Sequence, residues 1–156
     1  MTSIRLLHTS EGTFIARFTR QGLQSLDFPS QNVPDETGTV PEAWVRKTHA
    51  AIQSILEGAQ PVEMPPLDLH GTEFQKAVWA AMSRIPLGNT RSYQELAREL
   101  GRPTASRAIG QACGANPVPL LIPCHRVLGA GKKLCGFSGG LNWKRLLLSR
   151  ELVQFS

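Results

Sequence analysis

A cysteine set between a proline and a histidine closes an apolar run, Asn116-Pro117-Val118-Pro119-Leu120-Leu121-Ile122-Pro123-Cys124-His125-Arg126-Val127. The prolines fix the backbone and remove donors, so the thiol of Cys124 is presented from a rigid segment. His125 and Arg126 beside it make the kind of electropositive setting that lowers a thiol pKa, and the thiolate is the nucleophile. These residue types point to a reactive Cys124, the alternative being a structural core cysteine. Cys113 and Cys135 complete a sparse, odd set with no CxxC pair and no Cys/His spacing suited to zinc, which fits free thiols in a reducing compartment. His8, His49 and His70 are scattered and read as surface or packing residues, so no metal is implied.

The elements that must position this segment fall into two groups. SIRLLHTS, GTFIARFT and GLQSLDF read as short strands, the first two joined by a turn at Glu11-Gly12. After a loop rich in Pro, Asp, Asn and Gly, AWVRKTHAAIQSILEG places Trp44, Val45, Thr48, Ile52, Ile55 and Leu56 on one helical face and ends at Gly58. AQPVEMPPLDLHG, with three prolines, cannot be helix and marks a boundary. Beyond it, Thr72 can cap a helix through EFQKAVWAAMSRI, Ser92 and Glu95 form a capping box for SYQELARELG, and Thr104 begins TASRAIGQACGAN. The last two, joined by Gly-Arg-Pro, have the proportions of a helix-turn-helix. Small residues on the third helix (Ala105, Ser106, Ala108, Gly110, Ala112, Gly114) serve equally for close approach to a DNA backbone and for tight packing between helices.

Charge is divided unevenly. Residues 1–69 carry five Lys/Arg against eight acids, whereas residues 70–156 carry twelve against only Glu73, Glu95, Glu99 and Glu151. A half this basic would attract a polyanion, nucleic acid being the commonest; a solvated basic surface is the alternative. The composition is that of a folded soluble protein, with no apolar run long enough to span a bilayer and no signal-peptide pattern, so the expectation is a cytoplasmic protein without membrane contact.

PCHRV, preceded by NPxPxxIP and followed by GFSGGLNWKRLLLSRE, resembles the O6-alkylguanine-DNA alkyltransferase family over residues 70–151. The first half matches in length and in its strands-then-helix order. The resemblance implies an RNase H-like N-terminal domain over residues 1–66 and a winged helix-turn-helix-like domain bearing both DNA surface and nucleophile over residues 67–156. It implies that Cys124 accepts the alkyl group, that His125 deprotonates it through a water, and that Glu151 on the last helix orients His125. Asn116 would brace the active-site turn, and Tyr93 would donate a proton or hydrogen bond to the departing guanine. Ser138 would lie near O6, with Gly136, Gly139 and Gly140 permitting close ligand approach. A base in duplex DNA must be rotated out of the stack, and Arg107 matches the family arginine that fills the vacancy from the minor groove. Thr104, Ala105, Ser106, Gly110, Arg126, Phe137 and Gly139 join the DNA- and base-binding set.

Departures from the family pattern are few. Phe137 stands where some members carry tyrosine, and Cys135 and Cys113 lie near the pocket and on the recognition helix, raising secondary alkylation or oxidation. Lys132 and Lys133 make the same loop basic. The expectation is an α+β protein, a small strand-and-helix N-terminal domain followed by a helical winged helix-turn-helix-like C-terminal domain. It would repair O6-alkylguanine in double-stranded DNA as a monomer, once per molecule, without metal or organic cofactor. Rival readings are a damage-flagging relative, which would lack the acceptor cysteine, a thiol-sensing regulator, which would need a further domain, and a thiol hydrolase, which would turn over repeatedly.

Overall fold

In the computed structural model, which describes residues 2–137 and 139–156, the three expected strands form an antiparallel sheet of order β1 (Ser3–Thr9), β2 (Gly12–Phe18), β3 (Leu23–Asp27). Phe14, Ala16 and Phe18 alternate along β2 and are fully buried, as strand periodicity requires of a core-facing row. Helix α1 (Glu42–Leu56) covers the sheet with Thr48, Ala51, Ile52, Ile55 and Leu56 buried; Trp44 and Val45, on the same stripe, are half-buried. Gly58 closes it in the left-handed conformation, with Ala59 N–H donating to Ser54 O and Gly58 N–H to Ile55 O.

The proline-rich stretch after α1 is not a free connection. Leu23 N–H donates to Pro66 O (2.8 Å) and Asp68 N–H to Leu23 O (2.9 Å), so this stretch runs parallel to the edge of β3, where prolines are tolerated. Helix α2 (Glu73–Ser83) opens with a full capping box between Thr72 and Gln75, and α3 (Tyr93–Glu99) with the expected one between Ser92 and Glu95. Gly101 closes α3 by the same left-handed device as Gly58. Helix α4 spans Ser106–Gly114, starting later than expected: Thr104 lies outside it, and Ala105 occupies the cap without a side-chain bond. Ile109, Ala112 and Cys113 face inward, and the indole of Trp79 on α2 donates to Ala112 O (2.8 Å). Gln94 on α3 bridges to Pro103 O (2.8 Å), fixing the turn between α3 and α4.

Two elements were not foreseen. β4 (Arg91–Ser92) and β5 (Val127–Leu128) form a two-residue parallel pair, Arg91 opposite Val127 and Ser92 opposite Leu128. The last helix is α5 (Leu141–Arg150), whose buried face is Lys144, Leu147 and Leu148. Buried side chains from both halves of the chain form one continuous cluster. No helix is long and apolar enough to cross a membrane, among the described residues.

Candidate active site

The loop that presents Cys124 is built around one side chain. Asn116 accepts from Val118 N–H (3.0 Å) and donates to Ile122 O (2.9 Å), tying both ends of residues 116–122 together, while Val118, Leu120 and Ile122 are anchored in the core. Leu120 is held at φ 72°, a conformation unfavourable for a branched side chain that its complete burial maintains. A single 3-10 turn, Cys124–Arg126, follows and runs directly into β5. Because β5 pairs in register with β4, and Tyr93 directly follows β4, this short ladder brings the first residue of α3 to the nucleophile segment.

A cavity of about 300 Å³ opens there, lined by Tyr93, Gly110, Cys113, Gly114, Cys124, Gly136 and Phe137. This is at the small end of ligand pockets. With glycines at 110 and 114, Cys113 is the side chain that α4 contributes to this wall. Cys124 is buried beside the cavity, and burial pushes its thiol up to about 11, although Asn116 and the Lys144 ammonium favour the thiolate. The expected acidic thiol is therefore not present at rest: the environment is apolar, and Arg126 is engaged elsewhere. Burial likewise pushes Cys113 up to about 12, and burial with the neighbouring Cys113 pushes Tyr93 up to about 12, so the phenol stays a donor at neutral pH.

His125 and Glu151 form the polar centre behind the thiol. His125 Nε2 and Glu151 Oε2 lie 2.8 Å apart, both side chains fully buried. Burial opposes the ionisation of Glu151, but hydrogen bonds from His125 and Arg126 outweigh it and hold the carboxyl down at about 2. Burial pushes His125 below its ordinary value despite Glu151. A neutral imidazole facing a carboxylate must donate from Nε2, which leaves the lone pair on Nδ1. Nδ1 makes no hydrogen bond to protein among the described residues, so it is the available base.

Arg126 is not placed as expected. Its guanidinium binds Glu151 in bidentate fashion (Nε to Oε1, 2.9 Å; Nη2 to Oε2, 3.0 Å) and donates from Nη1 to Ile85 O (2.8 Å), at 3% exposure. It cannot meet DNA; it neutralises a buried carboxylate and ties α5 to the end of α2. Glu151 is the C-cap of α5 rather than a residue within it.

Arg107 is exposed in the first turn of α4, with Ala108 and Gln111 on the same outward side. Thr104 is exposed ahead of the helix, Ala105 and Ser106 are half-buried at its start, and Gly110 faces the cavity. Phe137 forms a cavity wall, whereas Gly139 does not line the cavity and packs toward Phe28 instead. Ser138 lies outside the described residues.

Sequence reasoning missed Lys144. It is almost completely buried, donates to Cys135 O (3.2 Å) and lies 5.9 Å from the centre of the Phe137 ring. The signal was available: positions 144, 147, 148 and 151 fall on one helical face, and a lysine and a glutamate on an otherwise leucine-lined face need a reason to be inside.

Residues 73–153 match the family model for the 6-O-methylguanine DNA methyltransferase DNA binding domain. The methylated-DNA–protein-cysteine methyltransferase of Methanosarcina acetivorans is 38% identical over 146 residues, covering 90% of this chain and 92% of that protein. That of Mycobacterium bovis is 55% identical over 85 residues, 54% of this chain; the chain spans about half, 52%, of the length of that relative. The crystal structure of Mycobacterium tuberculosis OGT in complex with DNA superposes with a TM-score of 0.80 at 36% identity, covering 95% of this chain and 91% of the other. A DNA-binding-domain match over half the chain and a relative aligned along nearly all of it agree with the site geometry: the chain belongs to the methylated-DNA–protein-cysteine methyltransferase family.

Proposed function

We propose that this protein repairs O6-alkylguanine in duplex DNA by transferring the alkyl group irreversibly to the sulfur of its own Cys124. The observation that carries the reading is the buried Glu151–His125 pair, in which His125 Nδ1 makes no protein hydrogen bond among the described residues, next in the chain to Cys124, which lines the cavity. His125 Nδ1 takes the thiol proton, through a water, as sulfur attacks the alkyl carbon. The S–C bond forms as the C–O6 bond breaks, and the departing guanine regains one proton, so the thiol's proton and the base's balance. The Glu151 carboxylate stabilises the imidazolium that forms transiently, and the Tyr93 phenol donates toward the base as negative charge develops on it. Asn116 steadies the loop and favours the thiolate.

DNA would lie against the outward side of α4, with Thr104, Ala105 and Ser106 near the backbone and Arg107 filling the vacated stack. The basic second half of the chain and the DNA-bound relative support this partner. On this reading residues 67–156 carry the chemistry and the DNA surface, and residues 1–66, whose RNase H-like character the family resemblance implies, buttress them. Phe137 and Gly136, which line the cavity, border the base. The protein works as a cytoplasmic monomer.

A thioether is stable in water, so each molecule acts once. The test is stoichiometry: with excess duplex carrying O6-methylguanine, one lesion is lost per protein, the peptide containing Cys124 gains one methyl group, and the lesion reverts to guanine without base loss or strand cleavage. Repair far beyond one equivalent would exclude self-alkylation, and tight lesion binding without transfer would favour damage flagging. Cys124→Ser is expected to abolish transfer while leaving duplex affinity within a few-fold.

A further inference from the structure

Phe28 stands one residue beyond β3, about a hundred positions before the cavity wall it touches. Its ring meets Phe137 edge-on, with centroids 5.6 Å apart and planes at 70°, and lies 5.1 Å from Trp143 on α5. Phe14 of β2 backs both Phe28 (5.7 Å) and Trp143 (5.6 Å). A methyl group added at Gly139 would fall 2.6 Å from the Phe28 ring, so the backbone after the wall also presses on it. Two residues earlier, Leu26 N–H donates to Pro117 O (2.9 Å), at the start of the loop that carries Cys124.

The stretch 26–28 thus grips both sides of the pocket, the nucleophile loop by a backbone hydrogen bond and the Phe137 wall by aromatic contact. Cys124 and Phe137 line the same cavity, so the separation between them depends on this shared support. We infer that Phe28 is a positioning residue that sets the width of the alkyl pocket, and with it the size of the group the protein accepts. On the far side of the support a second cavity, about 500 Å³, is bordered by Phe28, Pro117 and Gly139, giving the wall room to retreat if the ring is cut back. Edge-on aromatic packing is directional, so an aliphatic side chain of similar bulk does not hold the wall at the same angle.

The inference rests on the alkyl-transfer reading, and the experiment separates the two. Single-turnover rate constants are measured on one short oligonucleotide carrying either O6-methylguanine or O6-benzylguanine, for the unsubstituted protein, Phe28→Leu, Phe28→Tyr and Gly139→Ala. Each time course is normalised to its own end point, so unfolded protein lowers the amplitude and not the rate constant. Because small misplacements of reacting groups cost large factors, Phe28→Leu should slow methyl transfer about tenfold and benzyl transfer far less, raising the benzyl-to-methyl ratio. Phe28→Tyr should restore the ratio to within about twofold, since it keeps the ring. Gly139→Ala, which pushes the wall off Phe28 and toward the cavity, should lower the ratio, opposite to Phe28→Leu, and it decides alone if Phe28→Leu does not fold. Transfer by the unsubstituted protein with an unchanged ratio in the variants overturns the inference and leaves the repair reading standing. Absence of transfer by the unsubstituted protein overturns both.

Discussion

His125 and Glu151 meet at 2.8 Å with both side chains sealed from solvent, although 26 residues separate them in the chain. The same carboxylate is also held by Arg126, so one glutamate both fixes the His125 ring and balances a buried guanidinium. On the proposed mechanism, loss of that carboxylate strikes chemistry and stability together.

Glu151→Gln should lower the unfolding free energy by about 3–5 kcal/mol, because it leaves Arg126 charged, buried and unpaired. It should also slow alkyl transfer, as the imidazolium loses its counter-charge. Urea unfolding and single-turnover kinetics check the two effects; a variant as stable as the original would contradict the buried ion pair.

Stability should decline in acid, in two stages. Burial holds His125 below 6.5, and the bonds from His125 and Arg126, overcoming burial, hold Glu151 at about 2 against an ordinary 4.5. Both folded values lie below the unfolded ones, so the unfolded chain binds more protons and is favoured as pH falls. The stabilisation is complete above 6.5, begins to be lost below it, and is lost further between 4.5 and about 2. Urea midpoints measured from pH 8 down to 4 should fall steadily below 6.5; a midpoint that rises on acidification would reverse the assignment of His125 as neutral.

The rate of transfer should be level between about pH 7 and 9, because moving a proton from Cys124 to a neutral His125 leaves the net charge of the pair unchanged. A thiol titrating at about 11 and acting without that base would instead gain about tenfold in rate per pH unit. Single-turnover rates across the range distinguish the two.

Arg107 and Arg126 should separate cleanly in DNA binding. Exposed Arg107, changed to Ala, should slow repair in duplex far more than transfer from free O6-benzylguanine, and should reduce the salt dependence of duplex binding by about one ion. Arg126→Gln should leave that salt dependence unchanged and lower the urea midpoint instead, since its guanidinium is spent on Glu151 and Ile85. A reduced salt dependence for Arg126→Gln would restore it to the DNA surface.

What the chain states locally, it states plainly. The short strands, the cap at Thr72, the capping box at Ser92, and the glycines closing α1 and α3 depend on contacts within a few residues, and each was legible, whereas Gln75 as the second half of the Thr72 box was not read. So was the singular setting of Cys124, because prolines restrict the backbone whatever surrounds them. The start of α4 was misjudged because Thr104 has the right side chain for a cap but the chain turns before the helix begins.

Tertiary structure alone decided the rest, since burial and long-range pairing have no local signature. Arg126 reads as a surface cation in sequence and becomes a buried partner only because Glu151 and Ile85 converge on it. β4 and β5 are two residues each, too short for any periodicity, yet their pairing brings Tyr93 to Cys124. The acidity expected of Cys124 from its neighbours was reversed by the apolar core around it, and Phe28 reached the pocket only through its ring contacts with Phe137 and Trp143. Sequence by itself determined which groups could react; the fold decided which of them are charged, which are buried and which face one another, because those properties belong to the environment that distant segments create.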